Sequence, residues 1–412
     1  MKYKILKKCR LCDSSKLKIF LDFNKMPLAG GFLSKSEIRH EELYPMAMQQ
    51  CRSCSSVQVD TVIPLDKLFK KYFYFSSNIK TLVNHFYELS NIIKKKYLPE
   101  GGSILEIGCN DGVFLNHIVK NKNIKCIGVD PAKNVIKRIT NKKIQAYNEP
   151  FNLNLAKKIN NKFPNIEVIL SSFSFGHIDD MKSVIKGIDL LLSDSGVFIF
   201  EIYYLGTVID ELQYDMMYHE HMSYYTIKAL NKFLSSHNLK LFKIEKIKLR
   251  SGSLRFFAKR TINIKQSEHI KKHINLESSR GYNKFSYLIK YKNKIDKTKK
   301  DLISLITKLK NQGNTIYGYG ASGRGTIIMN YCNLDEKFID YVIDDAPQKR
   351  NMFTPGTHVK IISWEDMGKK IDFPNYLLLF AWPFASEIIS KRKEYQNNGG
   401  KFIIPLPSVK SV

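Results

Sequence analysis

The stretch SILEIGCNDGVFLNHIVK, residues 103–120, decides the fold of this chain. It predicts an apolar strand that places Glu106 near its carboxyl end, a turn that contains Gly108 and Gly112, and then a helix. Glycine has no Cβ, so such a turn can be tight and can approach a ligand closely. Parallel sheets bind ligands outside the carboxyl ends of their strands, where the following helices begin. We therefore predict a ligand site at this turn.

The next segment, KCIGVDPA at residues 125–132, predicts a second strand that ends in an acid. Asp130 follows Gly112 by 18 residues, a spacing at which a carboxylate can accept hydrogen bonds from both hydroxyls of a ribose. A dinucleotide fold usually carries Gly-x-Gly-x-x-Gly, whereas this turn is Gly-x-x-x-Gly with an acid on the strand. The variant suits a nucleoside without a pyrophosphate, and we predict S-adenosylmethionine (SAM) as the cofactor.

Strand-like and helix-like segments alternate through most of the chain. Residues 65–99 carry apolar residues at helical spacing, and IEVILSSFSFGHI (166–178) and GVFIFEIYYL (196–205) continue the sheet. A second alternation follows, with its own glycine-rich stretch NTIYGYGASGRGTIIMNYC (314–332). This alternation of strands and helices predicts an α/β protein in which an open parallel sheet, covered by helices, is followed by a smaller α/β unit.

Two Cys-x-x-Cys pairs, CRLC at 9–12 and CRSC at 51–54, lie near the N-terminus. Two such pairs can place four thiolates tetrahedrally, and thiolates are soft ligands that suit Zn²⁺. A redox role needs only one pair. We predict a structural zinc site with no position left open for chemistry, formed by Cys9, Cys12, Cys51 and Cys54.

The composition limits the classes of partner. The 412-residue chain has 66 basic and 38 acidic residues, a formal charge of +28, and 43% apolar residues. Its length predicts two or three domains, and its charge favours anionic partners. The lysines are, however, spread along the whole chain and are not interleaved with aromatic residues on one platform. We therefore expect neither nucleic acid nor a membrane as a partner.

Three features predict a cytoplasmic protein. No apolar run approaches the roughly 20 residues that span a bilayer. The N-terminus, MKYKILKKCRLC, lacks the apolar core of a secretory signal. The seven cysteines are an odd number, which is typical of a reducing compartment in so long a chain.

Five motifs follow one another along the chain: CRLC with CRSCSSVQVD, ILEIGCNDGVFL, YDMMYHEHMSYY, YGASGRG and LFAWPFASEI. In the order and spacing of these motifs, nearly the whole chain resembles the SAM-dependent sugar C-methyltransferases that act on nucleotide-linked keto-deoxysugars. The resemblance implies a zinc-binding N-terminal region over residues 1–65 and a class I SAM-methyltransferase domain with preceding helices over 66–255. It further implies a Rossmann-like domain over 256–412 that takes part in nucleotide-sugar binding.

The resemblance also gives the stretch YDMMYHEHMSYY a role in catalysis. It implies that His221 is the base that removes the proton from C3 of the sugar, beside a C4 keto group, and that the resulting enediolate carbon takes the methyl group. A histidine titrates near neutrality, and a tyrosine such as Tyr218 can donate a hydrogen bond to the developing oxyanion. Glu220 would orient the imidazole or bind a sugar hydroxyl.

Further site residues are expected around this centre. A second catalytic tyrosine is implied in KYFYFSSN, where Tyr72 and Tyr74 both qualify and Tyr74 is preferred. His219 would point away from His221 and is predicted to be structural. The cofactor would be bound by Glu106, Gly108, Asn110, Gly112, Asp130, Ser172 and Phe173. The substrate would be bound by Ser76, Ser77, His85, Arg255, Gly320, Ser322, Arg324 and Asp344.

Two alternatives remain open from the sequence. The same scaffold, with His221 deprotonating a sugar hydroxyl, would give an O-methylated hexose or heptose for surface-polysaccharide biosynthesis. A basic zinc-knuckle protein could instead bind and methylate RNA, which the diffuse lysines disfavour. A monomer or a weak homo-oligomer is expected.

Overall fold

The computed structural model describes residues 2–69, 74–120, 123–247, 249, 252–263, 267–369 and 371–412. Within these residues the chain forms sheets of four, seven and six strands and a two-stranded ribbon. The α/β fold predicted from the alternating segments is confirmed.

The N-terminal region is built on antiparallel strands. The ribbon pairs β1 (Lys4–Ile5) with β5 (Thr61–Val62). Between them, β2 (Leu17–Met26), β3 (Tyr44–Cys51) and β4 (Val57–Val59) form a meander. Sequence patterns did not predict this antiparallel sheet.

Eight more strands follow before the C-terminal unit. They are β6 (Gly102–Ile107), β7 (Ile124–Val129), β8 (Ile144–Tyr147), β9 (Ile166–Ser172), β10 (Leu192–Ile202), β11 (Ser223–Tyr224), β12 (Leu239–Lys246) and β13 (Leu254–Arg260). The central sheet has the order β12-β13-β10-β9-β6-β7-β8, in which β13 runs antiparallel to its neighbours. Strand order reverses between β6 and β9, and such a switch point opens a ligand crevice at the carboxyl ends of the strands. Strand β11 instead pairs with β4 and completes the N-terminal sheet.

Helices cover both faces of the central sheet. The helices that precede the C-terminal unit are α1 (Leu65–Leu68), α2 (Lys80–Tyr97), α3 (Val113–Ile118), α4 (Lys133–Ile136), α5 (Leu153–Lys162), α6 (Met181–Leu191), α7 (Leu205–Asp210), α8 (Ile227–Ser235) and α9 (Glu268–Arg280). One core cluster joins α2 and α3 to one face, and another joins α5, α6 and α8 to the other. Within the described ranges, no helix is both long enough and apolar enough to cross a bilayer.

The C-terminal unit is a second, smaller α/β structure. Its helices are α10 (Phe285–Asn311), α11 (Gly323–Tyr331), α12 (Ala385–Lys391) and α13 (Lys393–Asn397). Its strands are β14 (Ile316–Tyr319), β15 (Val342–Ile343), β16 (Ile361–Ile362), β17 (Tyr376–Leu379), β18 (Lys401–Ile404) and β19 (Lys410–Ser411), ordered β16-β15-β14-β17-β18-β19. A single apolar core contains Met48 of the N-terminal sheet, Tyr291 of α10 and Leu378 of β17. The N-terminal sheet therefore packs directly against the C-terminal unit.

Two sequence expectations need adjustment. The helical pattern over 65–99 is interrupted, because the Ser76 N–H donates to Asn110 Oδ1 at 3.0 Å and the Ser77 hydroxyl donates to Asp111 at 2.6 Å. These bonds hold the segment in a short 3-10 turn before α2 begins. The boundary expected between residues 255 and 256 falls inside β13, which pairs with β10. We propose that the central domain extends at least to Arg260.

Candidate active site

A cavity of about 730 Å³ opens at the carboxyl ends of the central strands. It is lined by residues from all three parts of the chain, for example Ile63, Asp180 and Phe384. The predicted site residues that line it are Tyr74, Ser76, Glu106, Gly108, Asn110, Asp130, Ser172, Phe173, Tyr218, His221, Ser322 and Arg324. The cavity thus brings the predicted cofactor turn and the predicted base together.

Asp130 lies at the carboxyl end of β7, beside the glycine-containing turn. Its Oδ2 accepts a hydrogen bond from the Asn110 N–H at 2.9 Å, and its Oδ1 accepts one from the Ala132 N–H at 2.8 Å. Burial raises the pKa of Asp130 to about 6, although both backbone donors oppose the shift. Gly112 lies outside the cavity lining and is the N-cap of α3, where its φ of 76° favours glycine.

The residues around the turn fit the nucleoside of SAM. Gly108 has a φ of +77°, and a Cβ there would lie 2.4 Å from the Ser174 Cβ, so this close approach needs glycine. Glu106 is buried, and its Oε2 has no hydrogen-bond partner among the described residues. Burial raises the pKa of Glu106 well above its usual value. A buried polar atom without a partner is costly unless a ligand group satisfies it.

The segment before α2 lies over the turn. Asn110 donates from Nδ2 to the Tyr74 carbonyl at 3.0 Å and accepts from the Ser76 N–H. Tyr74 and Ser76 line the cavity, whereas Ser77 binds Asp111 outside the lining. The other predicted tyrosine, position 72, lies outside the described residues. The side chain of Asn110 is therefore used to anchor this segment.

His221 lines the same cavity and is buried. Its Nδ1 lies 2.7 Å from the Met216 carbonyl oxygen. Because a carbonyl can only accept, Nδ1 carries the proton and Nε2 has the free lone pair. The Tyr218 ring lies 3.9 Å from the His221 ring, centroid to centroid. Burial, and then the neighbouring His177, lowers the pKa of His221 well below its usual value, so the ring is neutral at pH 7.

The four predicted zinc ligands form one cluster. Their sulfur atoms all lie within 4.8 Å of one another. The sulfurs of Cys9 and Cys54 are 3.6 Å apart and those of Cys12 and Cys51 are 3.5 Å apart. A tetrahedral zinc with Zn–S bonds of about 2.3 Å needs sulfurs about 3.8 Å apart. The Cys54 thiol lowers the pKa of Cys9 by hydrogen bonding to it, and the thiolate is the form that binds metal. The cluster fits a structural Zn²⁺.

Arg10 connects this cluster to the cavity. It lies within the first Cys-x-x-Cys pair, and its Nε donates to Asp179 at 2.8 Å. Its guanidinium also donates to the Met222 carbonyl at 3.2 Å. Asp179 and Met222 both line the cavity, and Met222 follows His221 in the chain. The zinc-binding region therefore contacts the cavity wall directly.

Three family models match the chain in sequence order. They describe a zinc binding domain over residues 9–69, a methyltransferase domain over 83–244 and a C-methyltransferase C-terminal domain over 248–407. C-methyltransferase NovU from Streptomyces niveus is 27% identical over 402 residues, which are 97% of this chain and 95% of NovU. The chain is a SAM-dependent C-methyltransferase. These matches give no support to the O-methyl and RNA alternatives.

Two solved structures are similar to part of this C-methyltransferase. A SAM-dependent methyltransferase from Clostridium acetobutylicum ATCC 824 is 16% identical, with a TM-score of 0.33, and the match covers 47% of this chain and 95% of the other. The PH0226 protein from Pyrococcus horikoshii OT3 is 14% identical, with a TM-score of 0.37, and the match covers 47% and 99% of the two chains.

The C-methyltransferase has two residues beside His221 that sequence reasoning missed, His177 and Tyr203. His177 lies in a 3-10 turn after β9, and its ring stacks on His221 with centroids 4.9 Å apart. Burial lowers the pKa of His177 to about 4, and its Nε2 has no hydrogen-bond partner in the described part of the chain. Tyr203 lies 5.1 Å from His221, and burial raises its pKa, so its hydroxyl keeps its proton. Nothing in the local sequence around either residue signals this proximity.

Two neighbours of His221 point away from the cavity. The carboxyl of Glu220 accepts a hydrogen bond from the Gly30 N–H, and burial raises its pKa to about 7. His219 Nε2 donates to the Pro45 carbonyl at 3.0 Å, and burial lowers the pKa of His219 to about 4. Both side chains join the Tyr-His-Glu-His segment of the C-methyltransferase to its N-terminal region.

The structure places His85 and Arg255 on a buried carboxylate outside the cavity lining. His85 Nε2 lies 2.9 Å from Glu201 Oε1, and Arg255 Nε donates to the same oxygen at 2.8 Å. Burial opposes ionisation of Glu201, but His85 and Arg255 overcome it and lower the pKa of this group. These contacts hold α2 against the end of β10, and both side chains are already engaged with protein.

The C-terminal unit contributes the beginning of α11 to the cavity. Ser322 caps this helix by accepting a hydrogen bond from the Gly325 N–H at 3.3 Å. Arg324, one residue into the helix, lies 3.1 Å from a fully buried Asp215 of the central domain. The predicted substrate residue Arg324 is therefore already part of an ion pair.

The remaining predicted residues of this unit do not line the cavity. Gly320 has a φ of +94°, and a Cβ there would lie 3.1 Å from the Ala381 Cβ. Asp344 accepts a hydrogen bond from Lys349 at 3.2 Å, and the same ammonium donates to the Ala321 carbonyl at 2.6 Å. Lys349 thus bridges the glycine-rich turn and the acid that sequence analysis assigned to substrate.

Proposed function

We propose that this enzyme methylates C3 of a nucleotide-linked 4-keto sugar, with His221 as the general base. The supporting observation is the single cavity that both Asp130 and His221 line. SAM, when bound, supplies an electrophilic methyl group. Glu106, the turn at Gly108 and Asp130 would hold its nucleoside at one end of the cavity, and the acceptor sugar would lie beside His221.

The protonation state of His221 favours a ketone as substrate. Nε2 carries the lone pair that would accept the proton, since Nδ1 donates to Met216. Burial makes the imidazole a weak base, so the proton it removes must be acidic. A keto group beside C3 provides this acidity, because the negative charge moves to the carbonyl oxygen. The hydroxyls of Tyr218 and Tyr203, which line the cavity, would donate hydrogen bonds to that oxygen.

The beginning of α11 supports a phosphate-linked sugar. Ser322, Gly323 and Arg324 line the cavity. Backbone N–H groups at a helix N-terminus favour an anion, so the backbone of this helix end suits a phosphate, while the Arg324 guanidinium is held by Asp215. We propose that the nucleotide part of the substrate lies against this end of the cavity, with Glu220 holding the Gly30 loop in place nearby.

Proton exchange tests the proposal. A 4-keto nucleotide sugar incubated with the enzyme and S-adenosylhomocysteine in D₂O is expected to exchange its C3 proton, because deprotonation does not need the methyl donor. Mass spectrometry and NMR would report one deuterium at C3. The His221→Ala variant is the control and should show no exchange. Methylation without C3 exchange, or a product methylated on oxygen, would contradict the proposal.

The pH dependence of SAM binding tests the role of Asp130. The pKa of Asp130 is raised to about 6 in the free protein, and ribose hydroxyls bind the ionised carboxylate. Protonation below pH 6 should therefore weaken SAM binding by up to about tenfold for each pH unit. Calorimetric titration from pH 5 to pH 8 would measure this. The Asp130→Asn variant should bind weakly and with a flat profile; a flat profile for the wild-type protein would exclude the contact.

A further inference from the structure

The short turn Tyr214–Met216 carries a fully buried carboxylate, Asp215. Arg324 Nη1 donates to both carboxylate oxygens, at 3.1 and 3.3 Å, and Trp382 Nε1 donates to Oδ2 at 2.7 Å. The guanidinium of Arg324 also lies 5.4 Å from the Trp382 ring centroid. Arg324 belongs to α11 and Trp382 follows β17, so both donors come from the C-terminal unit.

The residue after Asp215 holds the proposed base. The Met216 carbonyl oxygen accepts a hydrogen bond from His221 Nδ1 at 2.7 Å and a second one from the Tyr224 hydroxyl. The first of these bonds decides which imidazole nitrogen carries the proton, and therefore which nitrogen presents a lone pair. The position of one peptide group thus sets the tautomer of His221.

We propose that Asp215, held by Arg324 and Trp382, is a positioning residue that fixes the Met216 carbonyl and thereby the tautomer and orientation of His221. The proposal rests on the proposed role of His221 as the base. Removing one partner of a buried ion pair leaves an uncompensated charge and is strongly destabilising. The Asp215–Arg324 pair therefore favours one position of the Tyr214–Met216 turn over others. In this arrangement the C-terminal unit completes the active site of the central domain.

Besides the Met216 carbonyl, several titratable groups of the described residues face the His221 ring. They are His177, Tyr203, Tyr218, Tyr224 and Arg324. Of these, His177 stacks on the ring with an interplanar angle of 24°, a contact that restricts tilt and leaves the choice of tautomer open. The tautomer therefore depends on the Met216 carbonyl.

Nitrogen NMR of the full-length, substrate-free protein tests the proposal. With ¹⁵N-labelled histidine, the wild-type protein is expected to show one His221 signal set, protonated at Nδ1 and assigned by its loss in His221→Asn. Asp215→Asn should give a mixture of tautomers and lower kcat by about 10- to 100-fold, the usual cost of losing an outer partner that orients an imidazole. The SAM Kd should stay within about twofold.

Two further variants keep the test decisive. Trp382→Phe removes one N–H donor and keeps the ring, so it should shift the tautomer ratio and kcat in the same direction even if Asp215→Asn does not fold. Glu41→Gln is the matched control, because Glu41 joins the N-terminal region to His358 of the C-terminal unit at 2.7 Å without touching the Tyr214–Met216 turn. It should leave both readouts unchanged.

The outcomes separate this proposal from the proposed function. A folded Asp215→Asn protein with Nδ1 fully protonated would overturn the positioning role, whatever its kcat. A fall in kcat without a tautomer change would overturn it as well. Full turnover by His221→Asn would instead overturn the assignment of the base, and the tautomer signals would still report on Asp215.

Discussion

Replacing His221 by asparagine is expected to lower turnover by about 100- to 10,000-fold, the range that general base catalysis contributes. Nε2 of His221 has the only lone pair that the tautomer leaves on this ring, and the ring lines the cavity beside Tyr218. The SAM Kd should be unchanged, because the proposed SAM-binding residues, Asp130 and the glycine turn, follow β7 and β6, whereas His221 lies in a different segment, before β11. Transfer of labelled methyl groups and calorimetric titration with SAM would measure the two quantities.

The neighbouring histidine provides the control for this prediction. His219 is equally buried, but it donates to the Pro45 carbonyl and packs edge-on against Tyr44. His219→Asn is therefore expected to reduce stability and to keep kcat within a few-fold of the wild-type value in the folded fraction. An equal loss of turnover in His219→Asn and His221→Asn would show that both substitutions act by disrupting the fold of this segment. It would remove the evidence for His221 as the base.

Replacing Cys51 by serine is expected to release the zinc and to reduce the free energy of unfolding by about 4 kcal/mol or more. Cys51 is fully buried at the end of β3, in the core cluster that also contains Phe198 of the central sheet. Turnover should fall as well, because Arg10, which lies between two of the zinc ligands, donates hydrogen bonds to Asp179 and to the Met222 carbonyl in the cavity wall. Loss of the zinc would displace Arg10 and so disturb both contacts. Metal content, the thermal unfolding midpoint and methyl transfer would be measured on the same preparation.

Cys126 is the matched control for the zinc prediction. It is buried in β7, outside the four-cysteine cluster. Cys126→Ser should cost about 1 kcal/mol, as a buried polar substitution does, and should keep one zinc per chain. Retention of zinc and of the unfolding midpoint by Cys51→Ser would show that this thiol is not a ligand.

Sequence reasoning succeeded where short motifs contain the residues of a feature. The two Cys-x-x-Cys pairs predicted a cluster whose four sulfurs the structure brings within 4.8 Å. The strand and turn around Gly108, with Asp130 after the next strand, predicted a crevice that forms as parallel strands require. In both cases a short motif indicates the site, and strand pairing then brings its parts together, as for Cys9 and Cys54, which are 45 residues apart.

It was less successful where distant segments meet. His177 lies beside His221 because the turn after β9 faces the segment before β11. His85 and Arg255 were expected at the substrate, but both contact Glu201, a buried carboxylate that needs hydrogen-bond partners. Sequence periodicity reports which face of an element is buried and not which partner covers it. These side chains are therefore placed by the tertiary structure alone.

The pairing of β4 with β11 has a consequence for synthesis on the ribosome. Val57 pairs with Tyr224, so the nascent zinc-binding region leaves the ribosome with one sheet edge still open. At about 5 to 20 residues per second, the missing strand emerges about 8 to 30 s later. An open edge can pair with another chain during that interval. All four cysteines precede residue 55, so metal can be loaded onto the nascent chain before His221 has been synthesised.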